Sequence, residues 1–571
     1  MTAAPIRFKL TPRQEVNLTR ALSCGVGFRE FGGVSVTAKV QRRVRRPGSV
    51  TSEKVIFCLL VLCYLVPLWS FRYIPTQDGP SHLANAEILK KYHDAGAERV
   101  RAYFVLNLKP IPNLLYHLLL AGLLYVFKPL IAEKVLLSAY VVLFAYGLRA
   151  LGKAAGGRAG PAAFLVFPVI YSFAFQMGFF GFMFSLAVAT LGVAYYWRRR
   201  GDVTARLFVV LNLLGVVIFF FHLLGWVIFM GGIVLLAWAD AAREFLIARR
   251  SGGWRAAQRK RLIGRLAAPL YLAPAGALGL FYCLSQGAGG FFYRTPVRML
   301  RYLYQLEVLR VFDSWQKWPA AALGVTFGGA VVVALAVAVY RSLKGESRSA
   351  EGGRGAAWIW GIAVVAAFAL YFFAPDVAIS GGYISDRLAL LPLIAASAWL
   401  AAISGNFLRR SLFFIAPAVA LAYVATVCLE YHKANADLKE FNTGRCCLTG
   451  DATILPVIYL SAPHSGCKVN YMEHAGSYYT LGNYNVDLLN FEAECYYFPI
   501  NWRCGPPAIG LEDVCSGTPV YVLDGVYDQI DFLVCWRVNP FLSGMQKIFA
   551  RYALVHSTPH MMILRRQDLG A

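Results

Sequence analysis

The feature that most constrains this chain is a succession of apolar blocks, each about 17–22 residues long, close to the length that crosses a bilayer as a helix. Inside hydrocarbon such a segment must satisfy its own backbone hydrogen bonds, and a single segment can do that only as a helix. Composition agrees, since 58% of the 571 residues are hydrophobic and 15% are charged. The expected fold class is a polytopic α-helical membrane protein. A formal net charge of +25 would suit a nucleic-acid binder, but the lysines and arginines fall between the apolar blocks. Cytoplasmic loops use that distribution to fix orientation, so the expected partners are membrane lipids and no nucleic acid.

Taken in order, residues 1–54 read as a basic cytoplasmic tail closing on Arg42, Arg43, Arg45, Arg46 and Lys54, disordered or lying on anionic lipid. They lack the apolar stretch of a cleavable signal peptide. The first span covers 55–73, and the loop at 74–112 then emerges outside with one or two short helices. Spans follow from near Asn113 and Lys134, with Lys128, Glu133 and Lys134 in the link between them. Residues 162–197 read as one crossing with a broken or re-entrant part around 176–181. The stretch 207–239 has basic residues at both ends and reads as a hairpin of two short helices turning at Phe221 and His222.

Further spans near 266–284, 319–340, 357–374, 388–404 and 411–428 bring a membrane domain at 55–429 to about eleven crossings. The N-terminus is then cytoplasmic and the C-terminus outside. Residues 430–571 read as a separate extracytoplasmic mixed α/β domain, with strands at 453–460, 520–523, 532–538 and 552–556 and a helix at 541–550. Seven of the twelve cysteines lie there: Cys446, Cys447, Cys467, Cys495, Cys504, Cys515 and Cys535. That density fits an oxidising compartment and predicts disulfides of unspecified pairing.

Candidate chemistry concentrates on the expected outer face. The loop Asp78-Gly-Pro-Ser-His82 follows the first span directly. Asp78 suits a helix cap and Pro80 an early helical position, which sets His82 one turn further on. The functional reading is a catalytic or metal-binding pair; the plainer one is a cap and an interfacial histidine. His222 falls on the same face at the hairpin turn, where it is a candidate for binding substrate or lipid phosphate; the plainer reading is a structural histidine at a turn. Arg298 and Arg301 share one face of an amphipathic helix opened by Thr295 and Pro296, which would lie in the interface and grip lipid phosphate or simply meet headgroups. Arg387 opens a span from outside, where an unpaired arginine costs about 2.5–3.5 kcal/mol. Its partner is the adjacent Asp386 or a pyrophosphate headgroup. The aromatic runs around His474 and Glu492 could stack on sugar rings or belong to an ordinary core.

With these residues placed, the layout resembles the GT-C superfamily of membrane glycosyltransferases over about 50–430, a stretch of many spans with an acidic residue in the first outer loop. It also resembles uncharacterised bacterial GT-C-like proteins with a D-G-x-x-H first loop and a segment like NFEAECYYFP, here residues 490–499. The resemblance implies a multi-pass cell (inner) membrane enzyme that moves a sugar from a polyprenyl-phosphate-type, lipid-linked donor to an acceptor on the extracytoplasmic face. Asp78 would be its catalytic base or metal ligand, although many relatives carry an acidic pair where this chain has one Asp followed by Gly.

An inverting transfer needs a carboxylate for the acceptor's proton and positive charge on the leaving phosphate. Arg298, Arg301, Arg387 or a divalent cation held by Asp78 and His82 would supply the second. An ion shared by Asp and His would be nearer Mn²⁺ than Mg²⁺. Two other classes fit the same sequence. One is a transporter or flippase of lipid-linked saccharides, although ion-coupled transport usually buries ionisable residues within spans, where His117 and Asn212 are the main polar residues here. The other is a non-catalytic envelope-assembly membrane protein.

Overall fold

The structure is a computed structural model describing residues 48–156, 161–201, 204–250, 256–287, 289–312, 314–343, 351–378, 381–448, 450–459, 468–507, 509, 526–538 and 550–569. The chain divides into two compact units, Met1–Thr51 and Ser52–Ala571, and of the first only 48–51 are described, as the start of the helix Gly48–Ser70. Among the described residues eight helices are long and apolar enough to cross a membrane. Four shorter apolar helices, Leu114–Leu124, Pro161–Gln176, Ala205–Phe221 and Ala273–Ser285, alternate with the first four of them, and the last four long helices follow one another. The expected eleven or so crossings thus resolve into eight long and four short helices.

Three local expectations change. The second arm of the hairpin is not short: Leu223–Arg250 runs for 28 residues after the break at His222. Glu133 and Lys134 do not sit in a link but within the helix Pro129–Gly156, and both are buried. The stretch 162–197 is divided into a 3-10 helix, Pro161–Tyr171, a single turn Phe173–Gln176, and the helix Phe180–Arg199. Pro168 removes one backbone donor from the first piece, and Gly178 breaks the chain with a φ of +93°.

Toward the C-terminus five strands form a mixed sheet. Thr453–Ile458 lies parallel to both Val486–Asp487 and Phe532–Trp536. Phe532–Trp536 pairs antiparallel with Met561–Arg566, which pairs antiparallel with the edge strand Tyr552–Ser557. The two central parallel strands are buried at every residue, as strands covered on both faces should be. Side chains alternate between those faces. Ile454, Ile458, Val534 and Trp536 join the core that runs through the helices, while Leu455, Val457, Leu533 and Cys535 join a second cluster with Ile88, Ala97, Val100 and Phe104 of the first loop. The sheet therefore carries the first loop on one face. A two-stranded pairing of Phe104–Leu106 with Ile500–Trp502 ties the same two regions together.

The expected strand at 520–523 and helix at 541–550 lie outside the described residues. All cysteines among the described residues are free thiols, including Cys446, Cys447, Cys495, Cys504 and Cys535, so no expected disulfide is seen there. Cys535 is buried in the sheet. Cys467 and Cys515 fall outside the described residues.

Candidate functional site

Two interruptions of regular backbone meet at the start of the first loop. The turn before the helix Gly79–Lys91 and the break after Gln176 satisfy each other's peptide groups. Gln77 N–H donates to the Gln176 carbonyl and Asp78 N–H to that of Met177, each at 3.0 Å. Irregular backbone beside apolar spans requires such pairing. Asn435, on the long helix Asn406–Phe441, holds the approach to the turn by bonding both N–H and C=O of Tyr73 at 2.9 Å.

The helix Gly79–Lys91 is polar in sequence yet buried over most of its length, because the segment 480–490 supplies matching partners. Asn85 and Asn490 exchange amide hydrogen bonds of 3.1 and 2.8 Å. Gly482 N–H donates to Glu87 at 2.7 Å, and Lys91 donates to the Thr480 carbonyl at 3.2 Å. These contacts fix the angle at which Asp78 and His82 are presented.

Gly178 allows the two interruptions to touch. A Cβ there would lie 2.8 Å from Asp78 Cβ and 3.0 Å from the amide nitrogens of Asp78 and Gly79. Gly178→Ala is therefore expected to cost about 1–3 kcal/mol from its backbone conformation alone, with the clash in addition. A lowered unfolding midpoint in detergent checks this, and an unchanged midpoint would contradict it.

Asp78 occupies the N-cap position but its side chain makes no capping hydrogen bond. Its carboxylate instead lines a cavity of about 270 Å³, together with His82, His117, His222, Arg387 and an aromatic wall of Tyr116, Phe179, Phe180, Phe182, Phe491, Tyr497 and Phe498. Only 8% of Asp78 is exposed, and burial pushes its carboxyl up to about 8 against the opposing pull of His82 and Arg387. His474 Nε2 lies 3.6 Å from its Oδ1. That imidazole packs on Phe491 with ring centroids 4.3 Å apart, and burial pushes its pKa down to about 4, which leaves it neutral at physiological pH.

His82 is one turn from Asp78, as expected, with its N–H bonded to the Asp78 carbonyl at 3.1 Å. Its ring turns elsewhere. Nε2 is 2.8 Å from the Gly178 carbonyl, and Nδ1 is 2.7 Å from Glu492 Oε1. His117 Nε2 reaches the other oxygen of Glu492 at 2.9 Å, and its Nδ1 is 3.0 Å from the Asn113 carbonyl. Asn113 itself adopts a left-handed φ of 65°. The two histidines hold the Glu492 carboxyl well below its usual range despite complete burial. Among the described residues His82, His117 and Glu492 form the one His/Cys/Asp/Glu grouping close enough to share a metal ion. Asp78, expected to share a metal with His82, is not a member of that grouping.

Arg387 also lines the cavity. It lies on the short helix Ile384–Leu388, which follows Tyr383 at a left-handed φ of 55°. Its guanidinium carbon sits 3.9 Å from the Phe179 ring centroid and 5.8 Å from that of Phe182. Among the described residues it has no ion pair, and its buried Nε has no hydrogen-bond partner. The expected partner Asp386 bonds Arg294 instead, which also holds Asp376 at 2.8 Å. Neighbouring residues on a helix point about 100° apart, so adjacency in sequence does not make a pair.

His222 lines the cavity, but its Nδ1 accepts the Leu224 N–H at 3.0 Å and so caps the following helix. Arg298 and Arg301 stay outside the cavity. Both are exposed on the helix Pro296–Tyr304, which buries only Met299 and Tyr302. The exposed Val297, Leu300 and Tyr304 beside them suit an interfacial helix.

No protein-family model and no curated protein matches the chain. Among solved structures it is similar to the cryo-EM structure of the arabinofuranosyltransferase AftD from Mycobacteria, with 13% identity and a TM-score of 0.43. The alignment covers 91% of this chain and 40% of that one, so this chain spans about two fifths of that enzyme's length.

Proposed function

We propose that this protein is a GT-C-type glycosyltransferase of the cell (inner) membrane, which moves a sugar from a polyprenyl-phosphate-type carrier to an acceptor on the extracytoplasmic face. One observation carries the reading: a buried carboxylate, Asp78, and a guanidinium without an ion-pair partner among the described residues, Arg387, line the same aromatic-walled cavity. Its volume of about 270 Å³ is near the lower end of small-ligand sites, and its walls offer ring faces to a sugar.

Transfer by single displacement uses both groups. In its ionised form, the minor one at neutral pH because burial raises the carboxyl to about 8, Asp78 takes the proton from the acceptor hydroxyl as that oxygen bonds the anomeric carbon. The bond from that carbon to the carrier phosphate breaks, and its electron pair leaves on the phosphate, where Arg387 meets the growing charge. His222 keeps its capping role, and Arg298 and Arg301 serve lipid headgroups.

The test is a purified, lipid-reconstituted chain given synthetic polyprenyl-phosphate-linked pentoses and hexoses together with a panel of saccharide acceptors, with release of free carrier phosphate and glycosylation of the acceptor measured by mass spectrometry. Release is expected with at least one sugar, and Arg387→Ala is expected to lower its turnover about 100-fold. Passage of intact lipid-linked sugar across a sealed vesicle, with no carrier phosphate released, would favour a flippase and end this reading.

A further inference from the structure

His82, His117 and Glu492 bring together more acceptor atoms than they have protons to place between them. Carbonyl oxygens only accept, so Gly178 and Asn113 fix the ring protons, on Nε2 of His82 and Nδ1 of His117. The other two nitrogens are then lone pairs in the neutral rings. They lie 3.3 Å apart and face the two oxygens of one carboxylate at 2.7 and 2.9 Å. All three residues are buried, with exposures of 6%, 1% and 0%. Such a set needs positive charge at its centre, either a proton or a cation.

Three features favour a cation. Glu492 Oε1, for all its closeness to His82, makes no well-directed hydrogen bond and is fully buried. Each imidazole is oriented from behind by a carbonyl, the arrangement that supports ligating histidines. The nitrogen separation of 3.3 Å equals the edge of a tetrahedron with metal–nitrogen bonds of about 2.0 Å. Both histidines line the cavity and Glu492 does not, so an ion held by the three would sit at the cavity wall.

We propose that His82, His117 and Glu492 bind one divalent transition-metal ion of the zinc or manganese class at the cavity wall. Two imidazoles and one carboxylate disfavour Mg²⁺, which prefers oxygen. Asp78 stands outside this set and keeps its contact with His474. The inference concerns binding alone and holds whether or not the chain transfers sugars.

The experiment uses full-length protein purified in detergent without a polyhistidine tag, stripped with a chelator and titrated with Zn²⁺, Mn²⁺, Mg²⁺ and Co²⁺. About one Zn²⁺ or Mn²⁺ per chain should bind, with a rise in unfolding temperature that Mg²⁺ does not reproduce. Co²⁺ should give the visible bands of a low-coordinate nitrogen and oxygen site. Glu492→Gln and His117→Gln should each weaken binding at least tenfold, while Asp78→Asn retains it. Wild-type protein that neither binds Zn²⁺ or Mn²⁺ nor gives Co²⁺ bands would overturn the proposal and leave a proton-bridged cluster. That outcome is read on wild-type chain, so it stands even where a variant misfolds. Equal binding by wild type and Glu492→Gln would overturn it as well.

Discussion

Asp78→Asn is expected to lower sugar transfer by about 10²–10⁴-fold, the usual range for loss of a general base, while leaving the fold intact. Asn has nearly the same shape, and the Asp78 side chain provides no helix cap that the change would remove. Burial already disfavours its charged form, so replacing the carboxylate with a neutral amide relieves a desolvation cost. The unfolding midpoint should therefore stay level or rise as transfer collapses. That combination separates a catalytic carboxylate from a structural one, whose removal would lower both. Activity within tenfold of wild type, in a variant that still folds, would reject Asp78 as the base. It would move weight to the envelope-assembly reading, in which no proton transfer is needed.

The membrane class was legible because hydrophobic length is a one-dimensional property: the blocks that read as spans are helices. The D-G-P turn, the break near Gly178 and the hairpin at His222 were legible for a similar reason, since each is set by local residues. The strands 453–458, 532–536 and 552–557 also announced themselves by composition. The rest of the site was hidden by distance along the chain. Glu492 meets His117 across 375 positions, a contact that only the tertiary fold makes.

Signals did exist. His117 is a lone histidine in the run Leu-Leu-Tyr-His-Leu-Leu-Leu, and Glu492 is a charge set among aromatics. Neither carries any mark of its partner. The cysteine count suggested a redox compartment, but a disulfide requires two sulfurs within bonding reach, and a count holds no distances. Arg387 shows the same limit from the other side. Its position at the start of a span was readable, whereas the capture of its neighbour Asp386 by Arg294, 92 positions away, was not.

Arg294→Ala is expected to destabilise the protein by about 3–5 kcal/mol, because removing one partner of a buried ion-pair network strands the others. Arg294 joins Asp376 and Asp386, all three largely buried. Asp376 in turn accepts the Ser385 N–H at 3.1 Å and lies just before the strand Val377–Ala378, which pairs with Phe291–Phe292. The cluster thus fastens the segment that leads into Arg387. Its loss should lower the denaturation midpoint in detergent and reduce transfer together, unlike Asp78→Asn. The triple change Arg294→Leu, Asp376→Asn, Asp386→Asn should recover much of the stability, since removing every charge leaves none stranded. A single-variant loss under about 1 kcal/mol would instead mean that the trio behaves as a solvated surface network, and the positioning of Arg387 would then have to come from elsewhere, its contacts with Phe179 and Phe182 included.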